Sequence, residues 1–401
     1  MMLMSELIEE FISLAIKTGG WMVLDRLYLK NKIVGIIGEE TLEELSQQTV
    51  EEPVEDALTA LVKVVSEFKK LEAGQSKELE TQLADSLTPP PSVVNALFAQ
   101  RYEKDPEDAT RYFAEVNQVN HFVAAVKEPI VEENLLVWDS SISLSDATEE
   151  KERCPLCMSN EGFEGDSKTE NRQTQRLIRM NLLGETWNYQ FERNPLFEQQ
   201  AYFSSENHQE MTYGKDRIEK LVTLSDIFPH YFIGETGGMT PSGSAAESIE
   251  HASFYGAIGQ TLLSKAAVKQ TRKMSLFSSI ELEELEWAIP AIRLVGKDKT
   301  ALIQAAHFVE ALVLKQVVAS SSDDREYGLP LVIEKTDKGY VLTLVLLNPS
   351  VLSETSLDFW EIIGCVNVTK ESSKEETLKQ VTALYELVSQ GINTADYLVG
   401  L

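Results

Sequence analysis

The sequence predicts an α+β protein in which helices come first and mixed strands and helices follow. Three observations carry that expectation. Apolar residues recur at helical spacing through the first 125 or so residues, as in Ile8, Phe11, Ile12, Ala15 and Ile16. After that the texture shifts to short strand-like runs such as Leu135-Leu136-Val137-Trp138 and the run Gly339 to Leu347. Helical patterns return at Thr300 to about Val318 and at Glu375 to Gln390. Helices that precede a mixture of strands and helices, without strict βα alternation, indicate α+β architecture. The divisions expected are a helical region over 1–126, a first α+β half over 127–295 and a second over 296–401.

In chain order, Met1 to Gly20 reads as an amphipathic helix ended by Gly19-Gly20. Thr41 precedes Glu44 by three residues, the spacing of a capping box. Val54, Ala57, Leu58, Leu61 and Val64 form an apolar stripe, followed by Lys69 and Lys70 where a helix C-terminus favours cations. Thr88-Pro89-Pro90-Pro91-Ser92 is a break, because each proline removes a donor and fixes φ. Helices are expected from Ser92 to Tyr102 and from Asp105-Pro106 to about Val126. The alternation at Ile142 and Leu144 suggests a strand, residues 145–175 a polar loop, 176–232 mixed structure, and 235–245 another loop.

Charge excludes several functions. The chain carries 36 Lys+Arg against 64 Asp+Glu, a net charge of −28, which repels nucleic-acid backbones and anionic membrane surfaces. No apolar stretch reaches the ~18 residues of a membrane helix. The N-terminus, with Glu6, Glu9 and Glu10 and no early basic residue, is the reverse of a secretory signal. Three cysteines do not make a disulfide framework, and the expectation is a soluble cytoplasmic protein.

Cys154-Pro155-Leu156-Cys157 is the most distinctive local feature. Two thiolates three positions apart can grip one Zn²⁺; a redox pair or two unconnected cysteines are the rival readings. Two further ligands would have to come from the five histidines, since Cys365 is the only other cysteine. His121, His230 and His307 sit in apolar or aromatic surroundings that suit packing. His208 and His251 lie at the edges of structured runs and are the plausible ligands. The four glycines between Gly234 and Gly243 lack the GxxxxGK[ST] phosphate cradle, and no GxSxG nucleophile elbow occurs.

Several unlinked patches together resemble the bacterial type 2 galactose-1-phosphate uridylyltransferases. They are Cys154-Pro-Leu-Cys157 with Asn160-Glu161-Gly162-Phe163, Arg176-Leu-Ile-Arg179, Gly184-Glu185-Thr-Trp187-Asn-Tyr-Gln190, and Phe228-Pro229-His230-Tyr231-Phe232-Ile233-Gly234. Trp21, Leu24-Asp25-Arg26, Tyr28-Leu29, Asn31, Leu87-Thr88-Pro89, Pro91-Ser92 and Val94-Asn95 agree, as do Trp287 to Leu294 and Leu342 to Asn348. The resemblance implies a histidine-triad-like fold, with antiparallel-sheet halves packed against helices. It also implies a ping-pong reaction: a histidine attacks the α-phosphorus of UDP-glucose, and galactose 1-phosphate then takes the UMP. The family motif is His-x-His-x-Gln-Gly-like, its second histidine the nucleophile and its glutamine a phosphate contact.

Aligned on Phe254 and Gly256, this chain keeps the first histidine as His251 but places Ser253 at the nucleophile position and Tyr255 at the glutamine position. A serine hydroxyl is un-ionised at neutral pH, and a serine phosphodiester would be stable rather than a transferable intermediate. A rival register, counted from Phe228-Pro229-His230, makes His251 the nucleophile and sets Ile249 and Ser253 at the flanking positions; counting back from Trp287 favours the first. Glu235-Thr236-Gly237-Gly238 stands where relatives have an asparagine, Asp323 to Tyr327 where a His-Asn-Thr-like segment is expected, and no histidine follows His307. The zinc ligands of the family map to Cys154, Cys157, His208 and His251. The resemblance therefore implies either a uridylyltransferase of weak or no activity, or a non-catalytic, zinc-stabilised homologue. The latter would bind a UDP-sugar or sugar phosphate, or regulate a partner, as a homodimer or together with an active homologue.

Overall fold

The computed structural model describes residues 2–46, 49–50, 56–139, 154, 156–165, 171–208, 216–237, 251–317, 328–348, 357–368, 373–392 and 394. The chain divides into two compact units, Met1–Ala125 with Met158–Ile178, and Val126–Cys157 with Arg179–Leu401.

The first unit is helical: β1 (Met2–Leu3), α1 (Met4–Thr18), α2 (Arg26–Ile37), α3 (Glu39–Leu45), β2 (Thr49–Val50), α4 (Ala57–Lys69), α5 (Ala73–Leu87), α6 (Pro91–Tyr102) and α7 (Pro106–Val119). The stripe on α1 buries Leu7, Ile8, Phe11, Ile12 and Ala15, which join Leu58, Leu61 and Val65 of α4 and Leu83 of α5 in one core. Asp56 caps α4 by accepting from the N–H groups of Leu58 and Thr59, satisfying donors that have no intrahelical partner. The expected capping box at Thr41 and Glu44 is absent, because α3 has already started at Glu39. Gly38, at φ 95°, both ends α2 and opens α3, a role that suits glycine. The proline run breaks the chain as expected, with Pro91 taking the first helical position of α6, where its missing N–H costs nothing. α7 stops at Val119, short of Val126. Asn120 turns out of the helix there, its amide donating to Thr88 Oγ1 at 3.0 Å and Thr174 O at 2.9 Å. The segment 158–178 folds with these helices: Arg176 Nε donates to Pro89 O (2.8 Å) and Asn95 Nδ2 to Leu177 O (2.8 Å).

The second unit contains β3 (Ile130–Glu132), β4 (Leu135–Asp139), β5 (Ile178–Leu182), β6 (Glu185–Phe191), β7 (Glu198–Ser205), α8 (Asp216–Ile227), β8 (Phe232–Glu235), β9 (Ser253–Ile258), β10 (Ala267–Lys273), β11 (Glu281–Glu286), β12 (Ala291–Gly296), α9 (Lys299–Val317), β13 (Leu331–Thr336), β14 (Gly339–Val345), α10 (Phe359–Ile362), β15 (Cys365–Val368) and α11 (Lys374–Val388). Ten strands form one sheet in the order β10-β11-β12-β14-β13-β8-β9-β7-β6-β5, and β15-β4-β3 form a smaller one. The large sheet contains the same pattern twice. β6-β7, α8 and β8-β9 give the order β6-β7-β9-β8; β11-β12, α9 and β13-β14 give β11-β12-β14-β13. The two sets join where β8 pairs antiparallel with β13. The α+β class expected from sequence, with helices first and antiparallel halves after, is the class observed. Ile142 and Leu144, and most of the loop expected over 235–245, lie outside the described residues; Glu235 itself ends β8. No helix among the described residues is long and apolar enough to cross a membrane.

Candidate functional site

β7 and β9 are antiparallel neighbours, with Ser204 opposite Ser253. This pairing brings the end of β7 beside the start of β9, and with them His208 and His251. Cys157 sits against both: its Sγ is 2.8 Å from His208 Nε2 and 3.5 Å from His251 Nε2. Cys154 completes the group, and one donor atom from each of Cys154, Cys157, His208 and His251 lies within 4.8 Å of the others. The Cys157 N–H donates to Cys154 O at 3.2 Å, which folds both thiols to one side of a tight turn.

The donor chemistry fits a tetrahedral Zn²⁺. With bonds of about 2.3 Å to sulfur and 2.0–2.1 Å to nitrogen, neighbouring ligand atoms stand roughly 3.5 Å apart. The His251 ring is also oriented as a ligand would be. Its Nδ1 lies 2.8 Å from Ser205 O, so Nδ1–H donates to the carbonyl and Nε2 keeps its lone pair for the cluster. His251 is buried and His208 exposed, so one side of the group is anchored in the sheet and the other faces solvent.

Ser253 and Tyr255 follow on β9, both on the face away from α8. The opposite face holds Phe254 against Trp187, and Phe203 against Phe228 at the end of α8. Tyr255 is buried, 5.5 Å from Tyr202 across the strand pair and in parallel contact with Phe359. Along the same face run Asn188 of β6, Ser204 of β7 and Ser253 of β9, successive cross-strand partners. Asn188 and Ser204 are both fully buried. Neither end of the Asn188 amide, nor the Ser204 hydroxyl, makes a hydrogen bond to a described residue. Buried polar atoms left this way cost about 1–3 kcal/mol each. Asn188 and Ser204 are not among the site residues expected from sequence. The period-two alternation of Trp187-Asn188-Tyr189-Gln190-Phe191 was the available signal, since it sets the amides on one face and the aromatics on the other.

A second cluster, likewise not expected from sequence, lies on α8, β8 and α9. Arg217 of α8, wholly buried, pairs with Glu235 of β8 and Glu310 of α9 and donates to Leu329 O at 3.0 Å. The Leu329 N–H donates to Glu310 (2.7 Å) and the Gly237 N–H to Glu235 (2.5 Å). Burial pushes the Glu235 carboxyl up to about 7 against the opposing pull of Arg217. The remaining histidines stand apart from the site. His121 lies just past α7 at φ 56° between Asp56 (2.7 Å) and Glu80 (2.9 Å), an ion-paired position and not an apolar one. His307 Nε2 is 3.2 Å from Glu219. His230 packs edge-on to Tyr231, with ring centroids 4.9 Å apart.

No family model matches the chain. Among curated proteins it is similar to the galactose-1-phosphate uridylyltransferase of Pediococcus pentosaceus, at 28% identity over 380 residues, covering 88% of this chain and 76% of that one. The enzymes of that name from Staphylococcus saprophyticus (28%, covering 77% and 66%) and Lactiplantibacillus plantarum (27%, covering 88% and 76%) are similarly related. Among solved structures, yeast Ap4A phosphorylase Apa2 overlaps 73% of this chain and 98% of its own, at a TM-score of 0.44 and 9% identity. Over most of its length the chain is thus similar to galactose-1-phosphate uridylyltransferases.

Proposed function

We propose that this chain is a zinc-stabilised uridylyltransferase homologue in which UMP transfer is weak or absent, and that it binds a nucleotide sugar or regulates a partner instead of turning substrate over. The observation that carries the reading is the pair of residues on β9. Ser253 stands at the nucleophile position, and its cross-strand neighbour Ser204 is no base. Tyr255, at the glutamine position, is engaged in an aromatic stack and offers no amide to a phosphate. The alternative register, with His251 as nucleophile, is opposed by geometry, since its Nδ1 faces Ser205 O and its Nε2 faces Cys157.

Cys154, Cys157, His208 and His251 would hold the metal. When bound, it contributes folding free energy by tying the 154–157 turn to the ends of β7 and β9. The Asn188 amide and the Ser204 hydroxyl support retained binding, because unpaired buried donors and acceptors favour a polar ligand. The partner it would regulate is an intact, active homologue.

The test is incubation with UDP-glucose followed by intact-protein mass measurement. No uridylyl adduct is expected, while UDP-glucose raises the melting temperature by linkage. An adduct abolished by Ser253→Ala would overturn the inactive reading. An adduct abolished only by His251→Ala would establish the shifted register.

A further inference from the structure

A cleft of about 650 Å³ opens in the second unit, between the β3–β4 turn, the β10–β11–β12 edge of the large sheet, and α11. It shares no residue with the metal cluster or with the polar row on β9. Its volume lies within the range of small-molecule sites, roughly 300–1,000 Å³. Trp287 and Tyr385 form its aromatic wall, and Glu133, Glu286, Glu386 and Lys265 its charged lining. We propose that this cleft binds a small organic cation, an ammonium or guanidinium carried on an apolar or aromatic body.

The indole of Trp287 is seated deliberately. A Cβ at Gly364, where φ is 87°, would fall 2.7 Å from its Cη2, so only a glycine lets the ring lie there. The indole N–H is buried and bonds to no described residue. What Trp287 offers the cleft is therefore its ring and not its hydrogen-bond donor, and a tryptophan face is the best aromatic partner for a cation.

The charges point the same way. Three carboxylates against one ammonium leave the lining with a net −2. None of the Glu133, Glu286 and Glu386 carboxylates is hydrogen-bonded or ion-paired to a described residue, so their charge is uncommitted. Glu133 and Asn134 form the two-residue turn between β3 and β4 at φ 50° and 62°. That left-handed conformation is uncommon for glutamate, and it brings the carboxylate to the lining of the cleft. A concave wall of one sign raises the local concentration of the opposite ion and repels like charge. Anionic nucleotide sugars are excluded here by the same field that draws a cation in.

The test uses three probes of one shape on the full chain at low ionic strength: 2-phenylethylamine, 2-phenylethanol and 3-phenylpropanoate, read by calorimetry and thermal melting. The amine should bind saturably, at least tenfold tighter than either analogue. The double variant Glu286→Gln with Glu386→Gln, both exposed and expected to fold normally, should weaken the amine at least fivefold. Glu78→Gln, on the helical unit, should change nothing and so controls for the overall negative charge. Equal binding of the three probes, no saturable binding of the amine, or an unaffected amine in the double variant would each overturn the proposal.

Discussion

Tyr255 lies flat on Phe359, with ring centroids 4.9 Å apart and planes within 7° of parallel. The contact spans from the middle of the large sheet to the short helix α10. It depends on Gly234, the β8 partner of Tyr255, because a Cβ there would fall 2.5 Å from the Phe359 ring. Tyr255 is thus part of an aromatic core that also includes Tyr202 and Trp360.

Under the proposed register, Ser253→His alone is expected to gain no uridylyl adduct from UDP-glucose, since Tyr255, held in this packing, offers no amide to a phosphate. An adduct on that single variant would show that the tyrosine is no obstacle. Tyr255→Ala should cost about 3–5 kcal/mol, the usual result of emptying an aromatic site in a packed core, read as a lower urea midpoint with unchanged slope.

The metal cluster makes a separate prediction. Metal analysis of purified protein should find about one zinc per chain, as a closed four-ligand site requires. Cys157→Ala should lose it, because Cys157 touches both histidines. His208→Ala, at the solvent-facing edge, should weaken affinity while leaving a folded protein. A chain that stays fully folded and equally heat-stable after chelation would remove the structural role.

How much of this was legible beforehand depended on whether the signal was local. Helix periodicity and prolines located α1, α4, α6 and α7, and the Cys-x-x-Cys spacing located half of the metal group. His208 and His251 were legible only as histidines at the edges of structured runs and through the resemblance, because their convergence on Cys157 requires β7 and β9 to pair across 48 residues of sequence, from Ser205 to Ser253. Long-range pairings leave no periodic trace. The same reason hides Arg217, which reads as a solvated helix residue until β8 and α9 bring carboxylates to it. Thr41 misled because a capping pattern is only a spacing, and Gly38 had already set the helix start.

Arg217 should be the most costly charge to remove. Arg217→Met leaves Glu235 and Glu310 buried without their cation, and breaking a buried ionic group this way costs about 3–5 kcal/mol. Gly328→Ala should also destabilise, since its Cβ would fall 2.5 Å from the guanidinium. The pH dependence has a definite sign. Glu235 titrates near 7 when folded, from burial, against about 4.3 when unfolded. The folded state therefore holds a proton the unfolded state has released, and the stability this adds is present below about pH 4.3 and lost as pH rises through 7. Glu235→Gln should flatten the stability profile across that interval; an unchanged slope would assign it elsewhere.

His121 gives the helical unit its own pH signature. Hydrogen bonds to Asp56 and then Glu80 lift its imidazole up to about 9, and the His121 contact in turn holds Glu80 down to about 2 and Asp56 well below the usual carboxylate range. For the histidine, raised above its unfolded value of about 6.5, the stabilisation is complete below that value and disappears as pH rises through 9. For the carboxylates, lowered below about 4, it is complete above that value and disappears as pH falls towards 2. The triad thus stabilises the helical unit most between about pH 4.5 and 6.5. The three shifts describe one shared interaction and do not add. With these side chains only partly buried, solvent screening reduces its worth to about 1–2 kcal/mol. His121→Gln should remove that amount at pH 6 and almost nothing at pH 10, measured by urea unfolding at the two values. An equal loss at both would mean that the imidazole acts through packing, not charge.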